Sequence, residues 1–297
     1  MTTTSSAPNG GRATLVQGDP LVPRMLLGKR LRDLREEAGL TRLEAAEGIG
    51  SHDSKVIRLE AGRSGVRRED VIALLTLYGL PDQGEWATLL ALADETGARP
   101  WWYDLRDVVA RYERRYFSAE EAAKLVRCFD DQYVPELLQT EAYARELLAN
   151  GLAAASGRAA DRRIELLARR QRLLRRRPRP VNLWAVVHEA ALWRAVGNAE
   201  VMRAQLEHIK KIAERPNVTV QIAPYDARRA ATGPLTLVRF PQAHLPDIVY
   251  LEGLGTARYP SRPKEIESHW HVFNTLVTEA DPPERTRHII DGVLATC

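Results

Sequence analysis

The sequence predicts a multidomain protein in which an all-α head is followed by an α+β domain. At 297 residues the chain is longer than one typical domain. Apolar residues before Gly97 recur with the period of amphipathic helices, whereas short β-branched runs bounded by Pro, Gly and Asn follow Pro180. These observations predict a flexible tail over residues 1–20, a helical domain over residues 21–97 and an α+β domain over residues 98–297.

Composition is that of an ordinary globular protein, since 44% of the residues are hydrophobic and 28% are charged. The net charge of +4 and the pI of about 9.1 permit binding to nucleic acid without requiring it. The only cysteines, Cys128 and Cys297, are too few for a disulfide framework or a cysteine-rich zinc site, so we expect both to be reduced. No apolar run approaches a membrane span and no secretory signal opens the chain. We therefore expect a cytoplasmic protein with no membrane partner.

Helices account for the head on both sides of its central segment. Leucines three or four residues apart predict an amphipathic helix over residues 27–38, which Gly39 ends. Two further amphipathic helices are predicted over residues 69–78 and 84–96. The stretch between the first and second of these, residues 40–62, has the strongest functional signal in the chain.

This stretch predicts a helix, a tight turn and a second helix. Thr41 begins the first helix as an N-cap, and Glu44 follows three residues later, which is the spacing of a capping box. Ala46 is small enough to let a second helix cross closely, and Gly50 supplies the permissive backbone that the turn requires. The apolar residues that are spaced to face one shared core are Ala45, Ile49, Val56 and Leu59.

The second helix leaves a polar face opposite that core, as a recognition helix does when it reads DNA base edges. The candidate base-reading residues are His52, Asp53, Ser54, Lys55, Ile57 and Arg58. Lysine and arginine suit guanine or a phosphate, aspartate accepts from cytosine N4, and isoleucine contacts a thymine methyl, whereas His52 has the alternative of capping the helix. The candidate phosphate contacts are Thr41, Arg42, Arg63 and Arg67. The alternative is an ordinary helical hairpin with a solvated face.

The domain after Gly97 mixes helices with short strands. Residues 101–115 are predicted to be helical and aromatic, residues 122–130 to form a helix or a strand, and Pro135 to lead into a helix. Further helices are predicted over residues 161–176, 200–214, 264–279 and 284–295. Strands are predicted over residues 181–188, 217–223, 234–240 and 247–252.

One helix of this domain carries many arginines around an apolar stripe. They are Arg162, Arg163, Arg169, Arg170, Arg172, Arg175, Arg176 and Arg177. A charge run on an amphipathic helix usually faces water or pairs with local acids, and this is the first interpretation. The second is an auxiliary surface that contacts DNA phosphates.

The sequence predicts no enzyme, no metal site and no cofactor. His188 begins a run similar to the HExxH motif of zinc proteases, but the fifth position is Leu192, so the second ligand is absent. His269 and His271 would point to different sides of a helix. The aromatic residues that fill a core or, alternatively, line a ligand pocket are Trp101, Trp102, Trp184 and Trp193.

Residues 26–80 resemble the XRE family, the Cro and cI-type helix-turn-helix proteins. The family pattern is echoed by Thr41, Ala46, Gly50, Ser54, Val56, Arg58, Leu59, Glu60 and Gly62. The segments VPELLQTEAYAR, HEAALWRAVGNAEVMRAQLEHI, NVTVQIAPYDA, TGPLTLVRF and DIVYLEG are similar to the C-terminal domain of actinobacterial antitoxin-like regulators. His52 and Ile57 stand where serine is common in the first family, and His188 replaces the usual aspartate in the second.

The resemblance implies a lambda-repressor-like head and a dimeric transcriptional regulator, often linked to a small partner protein encoded nearby. We therefore predict double-stranded DNA as a partner, a homodimer, and a palindromic operator whose half-sites lie about 34 Å apart. Control would come through the C-terminal domain, from a small-molecule effector or a small partner protein. One alternative is an antitoxin-like adaptor that mainly binds a small partner protein and uses DNA binding for autoregulation. A third is an enzyme with an appended DNA-binding head.

Overall fold

The computed structural model describes residues 19–150, 156–225 and 233–296, and within these ranges five α-helices form the N-terminal head. They are α1 (Leu21–Glu37), α2 (Arg42–Gly48), α3 (Asp53–Glu60), α4 (Arg68–Leu77) and α5 (Gln83–Glu95). Most of the predicted tail over residues 1–20, and Cys297, lie outside the described residues. The all-helical head followed by an α+β domain confirms the predicted fold class.

Helix α1 starts at Leu21, well before the predicted first residue 27. Pro23 does not prevent this, because a proline in the first turn lacks only an N–H that would have no partner within the helix. The first turns of α1 place Leu21 and Met25 in the core of the C-terminal domain, while later turns place Leu31 in the core of the head. One helix is therefore shared between the two domains.

The head core has the composition that the sequence pattern predicted. Ala45, Val56 and Leu59 are buried in it, and Ile49 packs against it. They meet apolar residues of α1, α4 and α5 in the same cluster. The predicted common core of the two central helices is confirmed.

The C-terminal domain contains seven α-helices and six strands within the described residues. The helices are α6 (Arg114–Glu121), α7 (Glu141–Asn150), α8 (Gly157–Gln171), α9 (Glu189–Trp193), α10 (Ala199–Ile212), α11 (Pro263–Glu279) and α12 (Thr286–Leu294). The strands are β1 (Leu125–Asp130), β2 (Asn182–His188), β3 (Val218–Ala223), β4 (Leu235–Arg239), β5 (Ile248–Gly253) and β6 (Thr256–Arg258).

The strands form one mixed sheet in the order β3-β2-β1-β4-β5-β6. Strands β1, β2 and β3 are parallel, with Val126 opposite Leu183 and Ala185 opposite Val220. Strands β4, β5 and β6 continue the sheet as an antiparallel meander from β1. Parallel pairs need crossover connections, which α7 to α10 supply.

Each face of the sheet has its own core. One face carries Val126, Val187 and Tyr250 and packs against α6, α10 and α12 in the largest apolar cluster, which also receives the start of α1. The opposite face carries Val186 and packs against α11 through Phe273. The sheet is therefore covered by helices on both sides, which explains its nearly continuous apolar strands.

Some elements differ from the sequence-based prediction. Residues 101–115 contain only the 3-10 turn Tyr103–Leu105 before α6 begins at Arg114, so the predicted helix there is wrong over most of its length. The aromatic side chains of this segment do not lie on one face of a helix. They reach the core from turns, as Trp102 does, which is 9% exposed. Strand β6 and the short helix α9 were not predicted, because three and five residues are too few to show a period.

Candidate nucleic-acid interface

The first helix of the central pair starts at the predicted capping box. The N–H of Glu44 donates to Thr41 Oγ1 over 3.2 Å, and the N–H of Thr41 donates to Glu44 Oε2 over 2.7 Å. These bonds satisfy backbone donors that the first turn of a helix leaves open. The bond from the Thr41 N–H, and a further bond of 2.7 Å from the Thr41 hydroxyl to Glu44 Oε2, lower the pKa of Glu44. Thr41 is exposed but already used as a cap.

The turn between α2 and α3 depends on Gly50, whose φ of 58° lies in the left-handed region that favours glycine. The N–H of Ser51 then donates to the Ala46 carbonyl over 2.9 Å, which closes the end of α2. His52 occupies the N-cap position of α3, but its side chain makes no capping hydrogen bond. The capping alternative for His52 was therefore wrong, and the histidine ring remains on the exposed side.

The outer face of α3 brings together most of the candidate base-reading residues. Val56 and Leu59 are 0% and 3% exposed and point into the head core. The exposed residues on the other side are His52, Asp53, Ser54, Ile57 and Arg58. Ile57 is 43% exposed and gives this face a large apolar side chain. This face can offer hydrogen-bond donors, acceptors and one apolar group to a groove of DNA.

Lys55 differs from its neighbours because it is tied to the scaffold. Its Nζ donates to Asp70 Oδ2 over 2.8 Å, and its side chain is only 29% exposed. Arg67 Nη2 donates to the other oxygen of Asp70 over 3.1 Å. Burial raises the pKa of the 5%-exposed Asp70, but the hydrogen bonds from Lys55 and Arg67 outweigh burial and hold the pKa below its usual value. Asp70 thus joins α3 to α4, a role that the sequence pattern did not reveal.

A second acidic residue fixes the other end of α3. Glu60 is the last residue of the helix, and its side chain is 4% exposed. Arg35 of α1 donates to both of its carboxylate oxygens, over 2.6 Å and 3.2 Å, and Arg42 Nε of α2 donates over 3.2 Å. Glu60 therefore connects three helices. The sequence showed it only as part of the family pattern.

The four candidate phosphate contacts, Thr41, Arg42, Arg63 and Arg67, are all exposed. An open groove of about 490 Å³ lies between the start of α2 and the outer face of α3. Thr41 and Arg42 line one side of it, and Asp53 and Ile57 line the other. Arg63 lies instead toward the C-terminal domain, where its charge lowers the pKa of Arg115 further after burial has lowered it. The structure thus separates Arg63 from the groove.

Two glycines let α1 approach α3 closely. A Cβ on Gly28 of α1 would lie 2.2 Å from the Leu59 carbonyl oxygen of α3. A Cβ on Gly62, which follows α3, would lie 2.9 Å from the Met25 Cα. Real side chains do not tolerate such separations, so the crossing of these segments requires glycine. The position of α3 is consequently determined by α1.

The start of α1 is in turn fixed to the C-terminal domain. Ser118 Oγ of α6 donates to Asp19 Oδ2 over 2.7 Å, and Trp102 Nε1 donates to the same hydroxyl over 3.0 Å. Arg24 Nε donates to the Thr96 carbonyl over 2.8 Å, which joins α1 to the end of α5. The bond between Asp19 and Ser118, together with the apolar contacts of Leu21, connects the head to α6.

The arginine-rich helix pairs mainly with acids, which favours the first interpretation of its charges. The pairs are Arg162 with Asp107, Arg163 with Glu113, Arg169 with Glu165, Arg170 with Glu120 and Glu136, and Arg176 with Glu121. Arg172, Arg175 and Arg177 are exposed and have no acidic partner in the described part of the chain. Only these three arginines fit the second interpretation, in which the helix contacts DNA phosphates.

No group of three histidine, cysteine or acidic side chains in the described ranges is arranged to hold a metal ion. His188 caps α9, because its Nδ1 accepts the N–H of Ala190 over 3.1 Å. Trp102 belongs to the core, Trp101 packs against it, and Trp193 is 47% exposed on the surface. Among the described residues, none of the helices is long and apolar enough to cross a membrane.

The fold and the exposed face of α3 define a helix-turn-helix DNA-binding protein. Residues 26–89 match the family model described as a helix-turn-helix domain. Residues 113–292, more than half of the chain, match the family described as Domain of unknown function (DUF5753), and the chain belongs to that family. No curated protein and no solved structure matches the chain. The helix-turn-helix part of the predicted resemblance is confirmed, whereas its XRE and antitoxin-like parts stay predictions.

Proposed function

We propose that this protein is a sequence-specific, XRE-type transcriptional regulator that binds a palindromic operator as a homodimer and works in the cytoplasm. The observation that carries the proposal is the exposed outer face of α3, held at one end by Glu60 and at the other by Asp70. A helix fixed at both ends is preorganised, so little ordering free energy is lost when it enters the major groove.

Within this proposal, His52, Asp53, Ser54, Ile57 and Arg58 read base edges, with Lys55 joining them when its ammonium leaves Asp70. Thr41, Arg42, Arg63 and Arg67 contact phosphates and set the position of the head on the duplex. Arg42 supports this role because it is exposed beside the groove even though Glu60 holds its Nε.

Control of DNA binding through the C-terminal domain is supported by α1. This helix belongs to both cores and contacts α3 through Gly28, so a change in the C-terminal domain that moves α1 would move α3. The controlling partner is a small-molecule effector or a small protein. The adaptor alternative names a small protein as the main partner.

The test is selection of bound sequences from a random DNA pool by the full-length protein and by Arg58→Ala. We expect the wild-type protein to select a palindrome, and Arg58→Ala to lose about 1–3 kcal/mol at that site and to relax the preference at one base pair. Arg287→Ala is the matched control, because the side chain of Arg287 is 69% exposed in α12 of the C-terminal domain. Failure of the wild-type protein to enrich any sequence would overturn the proposal.

The same preparation tests the adaptor alternative. Purification from the native cell, followed by mass spectrometry, would show whether a small protein accompanies the chain in stoichiometric amount. A stoichiometric small protein together with weak, unselective DNA binding would favour the adaptor over the regulator.

A further inference from the structure

A small cavity opens at the edge of the sheet where β1 ends. Asp130 is the last residue of β1, and Glu252 lies near the end of β5, which runs in the same direction as β1 because both are antiparallel to β4. The cavity has a volume of about 50 Å³ and is closed on another side by Glu136. In open sheets with parallel strands, ligands bind outside the carboxyl ends of the strands.

Acidic groups exceed basic groups around this cavity. Arg170, whose side chain is 2% exposed, pairs with the fully buried Glu120 and with Glu136. One positive charge thus already faces two negative charges. Asp130 and Glu252 add two more carboxylates, and neither has a cationic partner among the residues that the structure describes.

The carboxylates without a cationic partner can be reached from solvent, and their surroundings destabilise their negative charges. Glu252 is exposed and the Glu136 side chain is 44% exposed, so solutes reach the cavity from this side. Burial raises the pKa of Asp130 to about 6, although hydrogen bonds from the N–H groups of Tyr133 and Gln132 lower it. Although the Glu252 residue reaches solvent, neighbouring groups largely desolvate its carboxyl group, which raises its pKa to about 7, and repulsion from Glu136 adds to this. A bound cation would relieve this repulsion.

A hydroxyl group without a hydrogen-bond partner in the described protein also faces the cavity. Tyr250 is 4% exposed and lines the cavity, with its ring stacked on Tyr116 at a centroid distance of 4.3 Å. Its hydroxyl makes no hydrogen bond to any residue that the structure describes, whereas the Tyr116 hydroxyl donates to Glu120 over 2.6 Å. The Tyr250 hydroxyl, on an otherwise buried ring that lines the cavity, is therefore free to accept a hydrogen bond from a ligand.

An organic cation fits the groups around this cavity better than a metal ion does. Metal ions need several ligands converging on one point, and the described carboxylates and thiol do not form such a group. A protonated amine has three N–H donors and no acceptor, which suits a site that offers carboxylates and a free hydroxyl.

We propose that this cavity binds the protonated amino group of a small-molecule effector, with Asp130, Glu252 and Tyr250 as its hydrogen-bond acceptors. The inference rests on the proposed control of a DNA-binding head by the C-terminal domain, and it names the chemical class of the effector. Tyr116 belongs to α6, which holds the start of α1 through Ser118, so the cavity adjoins the element that fixes the head.

Calorimetric titration of the full-length protein tests the proposal. The probes are n-butylammonium and 1,4-diaminobutane, compared with neutral 1-butanol and anionic butyrate, at about pH 8, where carboxyl groups with pKa values near 6 and 7 are mostly ionised. We expect saturable binding of at least one ammonium probe and none of butanol or butyrate. Glu252→Gln or Asp130→Asn should each weaken binding at least about tenfold, because each removes a charged acceptor. Tyr250→Phe should weaken it less.

Glu284→Gln is the matched control, because Glu284 is exposed in the 3-10 turn before α12, and it should leave the affinity unchanged. Absence of saturable ammonium binding, or equal affinity in Glu252→Gln, would overturn the inference. Displacement of a bound ammonium probe by Ca²⁺ would also overturn it. DNA selection on the same preparations separates the two proposals: selection of DNA without ammonium binding removes only this inference, whereas ammonium binding without DNA selection removes the proposed function.

Discussion

Glu60 Oε1 accepts a hydrogen bond from Arg35 Nε over 2.6 Å, with both side chains almost fully buried at 4% and 7% exposure. This pair fastens the end of α3 to α1, the helix that the head shares with the C-terminal domain. The buried carboxylate of Glu60 therefore helps to fix the orientation of the exposed face of α3, together with Asp70 at the other end of the helix.

Glu60→Gln should destabilise the head by about 3 kcal/mol, because it leaves the buried Arg35 guanidinium with only the half-exposed Glu36, 3.5 Å away, as a counter-charge. DNA affinity should fall for all sequences, since the whole of α3 loosens while its base-reading side chains remain. Urea unfolding and binding to the selected operator measure the two effects. Glu37→Gln is the control, because Glu37, whose side chain is 62% exposed, pairs with Arg30 near the surface and should leave stability nearly unchanged. A loss of preference at one base pair alone would contradict the structural role of Glu60.

Gly28→Ala should also weaken DNA binding, for a steric reason. The added Cβ would lie 2.2 Å from the Leu59 carbonyl oxygen, so α1 and α3 must move apart, at a cost of about 1–3 kcal/mol. Gly97→Ala is the matched variant, because its Cβ would meet nothing within 4 Å. Thermal unfolding and operator affinity should both decrease for the first variant and stay at the wild-type level for the second. Equal behaviour of the two variants would show that the close crossing does not position α3.

Arg170→Met should destabilise the C-terminal domain by about 3–5 kcal/mol, because it leaves the fully buried Glu120 without its partner. The double variant Arg170→Met with Glu120→Leu should recover part of this loss, since neither charge then remains buried. The free energies of unfolding of the wild type and the two variants test the prediction. A double variant that is less stable than Arg170→Met would contradict it.

Stability should depend on pH through Asp130. Its pKa is raised to about 6 in the folded protein, chiefly by burial, so below this pH the folded state binds a proton that the unfolded state does not yet bind. The free energy of unfolding contributed by this group therefore rises as the pH falls from about 7 toward about 4. Asp130→Asn should remove this dependence while keeping the acceptor for the N–H groups of Gln132 and Tyr133.

Urea unfolding at about pH 5 and pH 8 provides the measurement, because these values bracket the raised pKa of Asp130. The variant should be more stable than the wild type at both pH values, with a smaller advantage at the lower pH, where the unfolded wild type is still ionised but the folded wild type is mostly protonated. The same difference between the two proteins at both pH values would exclude a raised pKa for Asp130.

The sequence predicted those parts of the fold that depend on contacts close along the chain. The capping box of Thr41 and Glu44 joins residues three apart, and the bend at Gly50 follows from one residue's freedom to adopt a positive φ. The apolar faces of α2 and α3 follow from the period of the helix. These signals were sufficient to place the exposed face of α3 and therefore to predict a DNA-binding head.

Only the tertiary structure showed which distant residues meet. Glu60 lies 25 residues from Arg35, and Arg170 lies 50 residues from Glu120, so no local period connects them. The cavity at Asp130 and Glu252 exists because β1 and β5 both lie beside β4, a pairing order that strand patterns do not specify. Lys55 likewise looked free to read DNA until Asp70 was found 2.8 Å away. Local sequence determines periodicity and capping through short-range sterics and hydrogen bonds, whereas the partners of buried charges are decided by how the elements pack.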